Sequence, residues 1–171
     1  MRYLTIVRHA KSSPAGIGEP DFHRTLNGRG RKECKQLREW ALDPEALGNF
    51  GPVTALVSSA ARTRETFRRA FDGTDFVASF EFQSSIYNGL HEVSGEDLLD
   101  VLMAMDPVST SLMVVAHNPS VHELAELLMR KLPDSLRRNY PLGGSYVLAL
   151  PDGERIAAGP YEVVASFIPE V

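Results

Sequence analysis

Short β-branched runs alternate with amphipathic stretches along this chain, the order expected of strands and helices stacked in layers. Leu4–Val7 is an apolar run that stops at Arg8-His9. Lys11–His23 carries Ser12, Ser13, Pro14, Gly16, Gly18 and Pro20 and reads as a loop. Gly30, Cys34, Leu37 and Ala41 then recur at four- and three-residue spacing, which predicts a helix with those residues on its inner face. Thr54–Ser58 predicts a second buried strand, Thr63–Phe71 an arginine-rich helix and Phe76–Phe82 a further strand. Ser94 is placed as the N-cap of a helix with Asp97 in its first turn; the helix buries Leu98, Val101, Leu102 and Met105 and stops before Pro107. Leu112–Ala116 predicts a strand ending at His117, and Pro119 opens a helix to about Met129 with Val121, Leu124, Ala125 and Leu128 inward. Ser145–Leu150 and Glu162–Ile168, with a turn at Pro151-Asp152-Gly153, predict antiparallel strands at a sheet edge.

The order βαβαβαβα followed by two strands predicts an α/β fold, a three-layer α/β/α sandwich whose central sheet is mostly parallel with an antiparallel edge. At 171 residues, 43% hydrophobic and 23% charged, the chain is expected to form a single domain over residues 1–171. Eighteen Lys+Arg against 22 Asp+Glu leave a net charge of −4, and the pI is near 5.7. Wholesale nucleic-acid binding usually goes with a domain pI above about 9, so no nucleic-acid partner is expected. The one cysteine, Cys34, excludes an internal disulfide framework and a multi-cysteine zinc site. Neither a secretory apolar region of about 7–15 residues nor a span of about 20 is visible, so no membrane partner is expected and the expected location is the cytoplasm.

Polar groups stand where three apolar runs stop: Arg8-His9, Ser58-Ser59-Ala60-Ala61-Arg62 and His117-Asn118-Pro119. Ligands of open α/β sheets bind beyond the carboxyl ends of the strands. If these strands are neighbours, the sheet mouth gathers two histidines and two arginines, a group too cationic to pack without an anion. A phosphoryl group fits, because guanidinium forks pair its oxygens. With a reference pKa of about 6.5, His9 has a neutral fraction that can attack phosphorus in line. Arg8, Arg62 and His117 would neutralise the equatorial oxygens, and water would cleave the resulting phosphohistidine with no metal or other cofactor. Turnover should then fall as pH drops below the His9 pKa, unless the neighbouring arginines depress that pKa.

Three of these elements resemble those of a known family. Val7-Arg8-His9-Ala10-Lys11-Ser12 is similar to the Arg-His-Gly signature of the histidine phosphatase (phosphoglycerate-mutase-like) superfamily. Ser58-Ser59-Ala60-Ala61-Arg62-Thr63-Arg64-Glu65-Thr66 resembles its Ser-x-x-x-Arg-Ala-x-Gln-Thr element, and Ala116-His117-Asn118-Pro119 its Gly-His-Asn element. The small size and Arg24-Thr25-Leu26-Asn27-Gly28 soon after the histidine make the chain most similar to SixA-type phosphohistidine phosphatases. The resemblance implies His9 as nucleophile with Arg8, Arg62 and His117 as phosphate-binding partners. Ala10 and Ala116 replace glycines of the pattern. Where mutase-like members carry a proton-donating Glu, this chain reads Ile86-Tyr87-Asn88; Glu92 lies a few residues on at a spacing that does not match, and is the candidate general acid. An imidazole leaving group departs neutral and needs less acid help than an alkoxide, so the gap favours phosphohistidine of a protein as substrate. A small phosphate ester is the alternative partner, and a non-catalytic phospho-ligand-binding module is a further one.

Ser12 is either a phosphate donor or a plain loop serine, and Asn118 is a candidate substrate contact. His117 and His122 are five apart, not the i, i+4 spacing of a helical zinc pair, so no metal site is expected. Gly28-Arg29-Gly30 reads as helix-start punctuation and Cys34 as core. His23 and His91 read as loop residues, and Arg130, Lys131, Arg137 and Arg138 as a solvated basic surface open to an acidic phosphoprotein.

Overall fold

The computed structural model describes residues 1–89 and 91–171. Six strands form one sheet: β1 (Arg2–Arg8), β2 (Val53–Ser58), β3 (Val77–Gln83), β4 (Ser111–Ala116), β5 (Ser145–Leu150) and β6 (Val163–Phe167). Their order is β3-β2-β4-β1-β5-β6. β3, β2, β4 and β1 pair in parallel, and β5 is antiparallel to both β1 and β6. β5 is therefore the single reversed strand, and β6 runs with the parallel set rather than against it.

Side chains alternate across the pleat, so each central strand feeds two cores. Leu4, Ile6, Leu56, Leu112, Val114, Tyr146 and Leu148 face one layer, and Val7, Ala55, Val57, Met113, Val115 and Val147 the other. The helices α1 (Gly28–Leu42) and α2 (Ala61–Ala70) pack together over the second set. The helices α3 (Gly95–Met105) and α4 (Ser120–Leu128) pack together over the first. The result is the three-layer sandwich with a mostly parallel sheet and an antiparallel edge that the pattern predicts.

Local chemistry starts and aims the helices. Asn27 caps α1 by accepting from the Gly30 amide, and Ser94 with Asp97 forms a capping box on α3. Gly30, Cys34, Leu37 and Ala41 face the core, joined by the buried Glu33. In α3 the inward residues are Leu98, Leu99 and Leu102, while Val101 and Met105 are only half-buried. Gly95 explains this rotation: a Cβ there would lie 2.6 Å from the Glu123 backbone, so this side of α3 is pressed onto α4.

The topology also makes the crevice. The chain leaves β1 and β2 toward the α1/α2 layer, but leaves β4, which lies between them, toward α4 on the opposite face. Adjacent loops that diverge to opposite layers open a cleft at the strand ends.

Candidate active site

Arg8, the last residue of β1, pairs in register with Ala116, the last of β4, so His9 and His117 emerge side by side. Their ring centroids are 5.4 Å apart. The His9 main chain is pinned on two sides, its amide donating to the Ala116 carbonyl (3.1 Å) and its carbonyl accepting from the Gly143 amide (3.1 Å). The Ala10 amide donates to Thr66 Oγ1 (3.0 Å), and that hydroxyl donates to the Arg62 carbonyl (2.7 Å), tying the β1 exit to α2. Arg8, His9, Arg62 and His117 line one cavity of about 520 Å³ with Lys11, Ser12, Arg24 and Asn118.

The His9 ring is held in one orientation. Nδ1 lies 2.7 Å from the Ala10 carbonyl, which can only accept, so Nδ1 carries the hydrogen and Nε2 keeps its lone pair. Burial lowers the His9 pKa to about 3; the Ala10 carbonyl opposes this, and Arg62, Arg8 and Arg24 add to it. His9 is thus neutral across the physiological range, and the expected loss of the neutral form just below pH 6.5 is displaced far into acid. His117 Nε2 lies 2.7 Å from Ser58 Oγ. If the hydroxyl donates there, Nδ1 carries hydrogen, and Nδ1 is buried without a protein partner. Burial, then His9 and Arg62, push the His117 pKa well down against the opposing pull of Asp21, so that ring too is neutral.

The arginines are anchored from behind. Arg8 Nη1 donates to the Tyr140 carbonyl (2.8 Å), and its Nε is buried and unpartnered. Arg62, buried in the first turn of α2, donates from Nη1 to the Asp21 carbonyl (3.0 Å) and from Nη2 to Asp21 Oδ2 (3.1 Å); its Nε is likewise unpartnered. Arg8 Nε, Arg62 Nε and His117 Nδ1 are thus buried nitrogens, on residues that line the cavity, with no protein partner. Buried donors are normally satisfied, so such a set fits an oxyanion. No group of three or more His, Cys, Asp or Glu capable of holding a metal occurs among the described residues.

Ser12 is buried and accepts from Arg24 Nη1 (2.9 Å) at the cavity wall. Asn118 also lines the cavity, and its amide donates to Asn139 Oδ1 while its own Oδ1 is unpartnered. Glu92 is exposed and is absent from the cavity lining; the structure does not bring it to His9. His23 is exposed, and His91 lines a separate cleft. His122 bonds the Leu136 carbonyl and pairs with Glu126, and Cys34 is buried with its thiol pushed up to about 12 by burial. Of the basic cluster, Arg130 pairs with Glu162 and Arg137 with Asp134.

Sequence reasoning missed four groups. Arg24 and Lys11 line the cavity from a loop read only by its composition. Asp21 accepts from Arg62, Arg24 and Tyr87. Glu33, buried under α1, accepts from the Lys11 amide (2.8 Å). Arg24 and Asp21, of opposite charge and three residues apart, were the available signal.

No protein-family model and no curated protein matches the chain. Solved structures do. The SixA of Agrobacterium tumefaciens superposes with a TM-score of 0.74 at 26% identity, covering 98% of each chain. The SixA of Nakamurella multipartitia gives 0.77 at 23%, covering 99% of this chain and 97% of its own. A protein histidine phosphatase SixA solved with tungstate gives 0.69 at 18%, covering 97% and 96%. No helix among the described residues is long and apolar enough to cross a membrane.

Proposed function

We propose that this chain, whose fold is that of the SixA-type histidine phosphatases, is a phosphatase that transfers phosphoryl groups to His9 and then to water. The observation that carries the reading is the His9 tautomer. With Nδ1–H committed to the Ala10 carbonyl, Nε2 keeps its lone pair, and Arg8, Arg62 and His117 line the same cavity as His9. The Nε2 pair attacks phosphorus, the bond to the leaving group breaks, and the three donors take up charge on the phosphoryl oxygens. Water then attacks the phosphohistidine and releases phosphate.

The cavity lining favours phosphohistidine of a protein over an alkyl phosphate as substrate. None of the residues lining it is a carboxylic acid, so a leaving group that needs a strong proton donor is poorly served. An imidazole leaves as a neutral ring and needs none.

The test is a rapid denaturing quench at alkaline pH after brief exposure to labelled phosphoimidazole. Acid-labile, base-stable label on His9 is expected, and His9→Ala should abolish both label and turnover while keeping its melting transition. Phosphate binding without label or turnover would make the protein a binding module instead.

A further inference from the structure

A second cleft, of about 690 Å³, adjoins the phosphate cavity and is lined largely by apolar atoms, including Phe22, Tyr87 and Val93. Its partition from the phosphate cavity is built from Asp21 and Tyr87. The Tyr87 ring lies 5.6 Å from the His117 ring and 5.9 Å from the Arg62 guanidinium carbon, so with Asp21 it stands between the two spaces. Phe22 meets Tyr87 edge-on at 5.0 Å. At the boundary stands the Asp21 carboxylate, an anion set beside a cationic cavity.

Resting on the phosphatase reading above, we infer that this cleft is the leaving-group subsite and that Asp21 is its specificity-determining residue, accepting a hydrogen bond from the ring N–H of a phosphoimidazole. A carboxylate has about four acceptor positions. Arg24 Nε takes one on Oδ1 (2.8 Å), while Arg62 Nη2 (3.1 Å) and the Tyr87 hydroxyl (2.7 Å) take two on Oδ2. One position on Oδ1 is left, and the side chain is 47% exposed, so a ligand can reach it. Burial alone would raise the Asp21 pKa, but the Tyr87 hydroxyl, Arg24 and Arg62 hold it at about 2, so Asp21 accepts hydrogen bonds and donates none.

The chemistry matches that limitation. In an N-phosphoimidazole protonated on its second nitrogen, the bond from His9 Nε2 to phosphorus forms as the substrate P–N bond breaks. The bonding pair returns to the departing nitrogen, the second nitrogen keeps its proton, and the ring leaves neutral. No proton comes from the enzyme. A carboxylate facing the second nitrogen favours this protonated form and orients the ring, whose flat face suits the aromatic walls. The same charge repels leaving groups that carry a carboxylate or a second phosphate.

The experiment compares phosphoimidazole with p-nitrophenyl phosphate, whose leaving group has no ring N–H, in the intact protein and in Asp21→Asn and Asp21→Glu. Loss of the Arg62–carboxylate ion pair should lower kcat/KM for both substrates in Asp21→Asn. The ratio of phosphoimidazole to aryl phosphate should fall by a further factor of about ten, the usual scale for losing a charge-assisted hydrogen bond. Asp21→Glu should restore most of that ratio. An equal loss on both substrates would reduce Asp21 to an anchor for Arg62 and overturn the inference while leaving the phosphatase reading intact. Absence of turnover on both substrates in the unaltered protein would overturn both.

Discussion

Ser58 Oγ, at the end of β2, sits 2.7 Å from His117 Nε2, at the exit of β4. Where that hydroxyl donates, it holds the imidazole of the neighbouring strand in the tautomer with hydrogen on Nδ1, the far side of the ring. Ser58→Ala leaves Nε2 without its donor and lets the ring take the tautomer with no hydrogen on Nδ1. We expect kcat/KM to fall by about ten-fold, in line with a lost donor to a charged oxygen. His9 should still acquire label in a quenched reaction, more slowly.

The His9 pKa of about 3 fixes the shape of the pH profile. Nucleophilic competence should be flat from pH 8 down to about 4, where an unperturbed histidine would give a midpoint near 6.5. A His9 ring signal that titrates in NMR with a midpoint near 6.5 would contradict the buried, neutral ring.

The same shift governs stability. Between about pH 6.5 and pH 3 the unfolded chain binds a proton at His9 that the folded chain refuses, and His117 acts in the same direction. Their stabilising contribution is complete above about 6.5 and declines as pH falls toward about 3. In chemical denaturation at pH 7 and pH 4.5, the intact protein should lose on the order of a few kcal/mol. His9→Ala should lose measurably less.

Phosphate should stabilise the fold by filling the cationic cavity. At a hundred times its dissociation constant it adds about 2.7 kcal/mol, which a melting curve reads as a clear rise in Tm. Arg62→Ala should abolish the shift. Arg62→Lys, which keeps the charge but loses the fork that spans Asp21 and the cavity, should recover only a fraction of it.

Gly30 offers a purely steric test. A Cβ there would lie 2.1 Å from the Lys11 carbonyl oxygen, so α1 can start only where no side chain intervenes. Gly30→Ala should displace the Lys11–Ser12 segment of the cavity wall and cost more activity than Gly28→Ala. Gly28 has only the Arg31 side chain near its Cβ position, 3.7 Å away.

The elements readable in the sequence are those whose local pattern agrees with their tertiary role. β1, β2 and β4 are apolar runs cut off by polar residues, and Arg8, His9, Arg62 and His117 follow from those interruptions because strand order places them together. What was not readable depends on contacts between segments far apart in sequence. Arg24 and Asp21 gain their meaning from Arg62, some forty residues on, and a loop read by composition gives no sign of it. Glu33 occupies a core face of α1, where periodicity predicts an apolar residue; it is there because the Lys11 amide needs an acceptor. Leu99 lies inward one turn beyond Gly95, whose missing side chain leaves room for α3 against the α4 backbone.

One feature of the sheet bears on how such a scaffold diversifies. β5 alone begins at the edge where the other strands finish, and its approach, Gly143-Gly144, clasps the main chain of Arg8 and His9. The stretch from Met129 to Leu142 therefore arrives at the cavity rim as an incoming lead rather than as the exit of a catalytic strand. Leu136 and Tyr140 tie that stretch into the core, and the Tyr140 carbonyl holds Arg8. The exposed Arg137-Arg138 between them is therefore where side chains can change without disturbing the strands that carry the nucleophile and its partners, a natural place for new substrate preferences on an unchanged reaction centre.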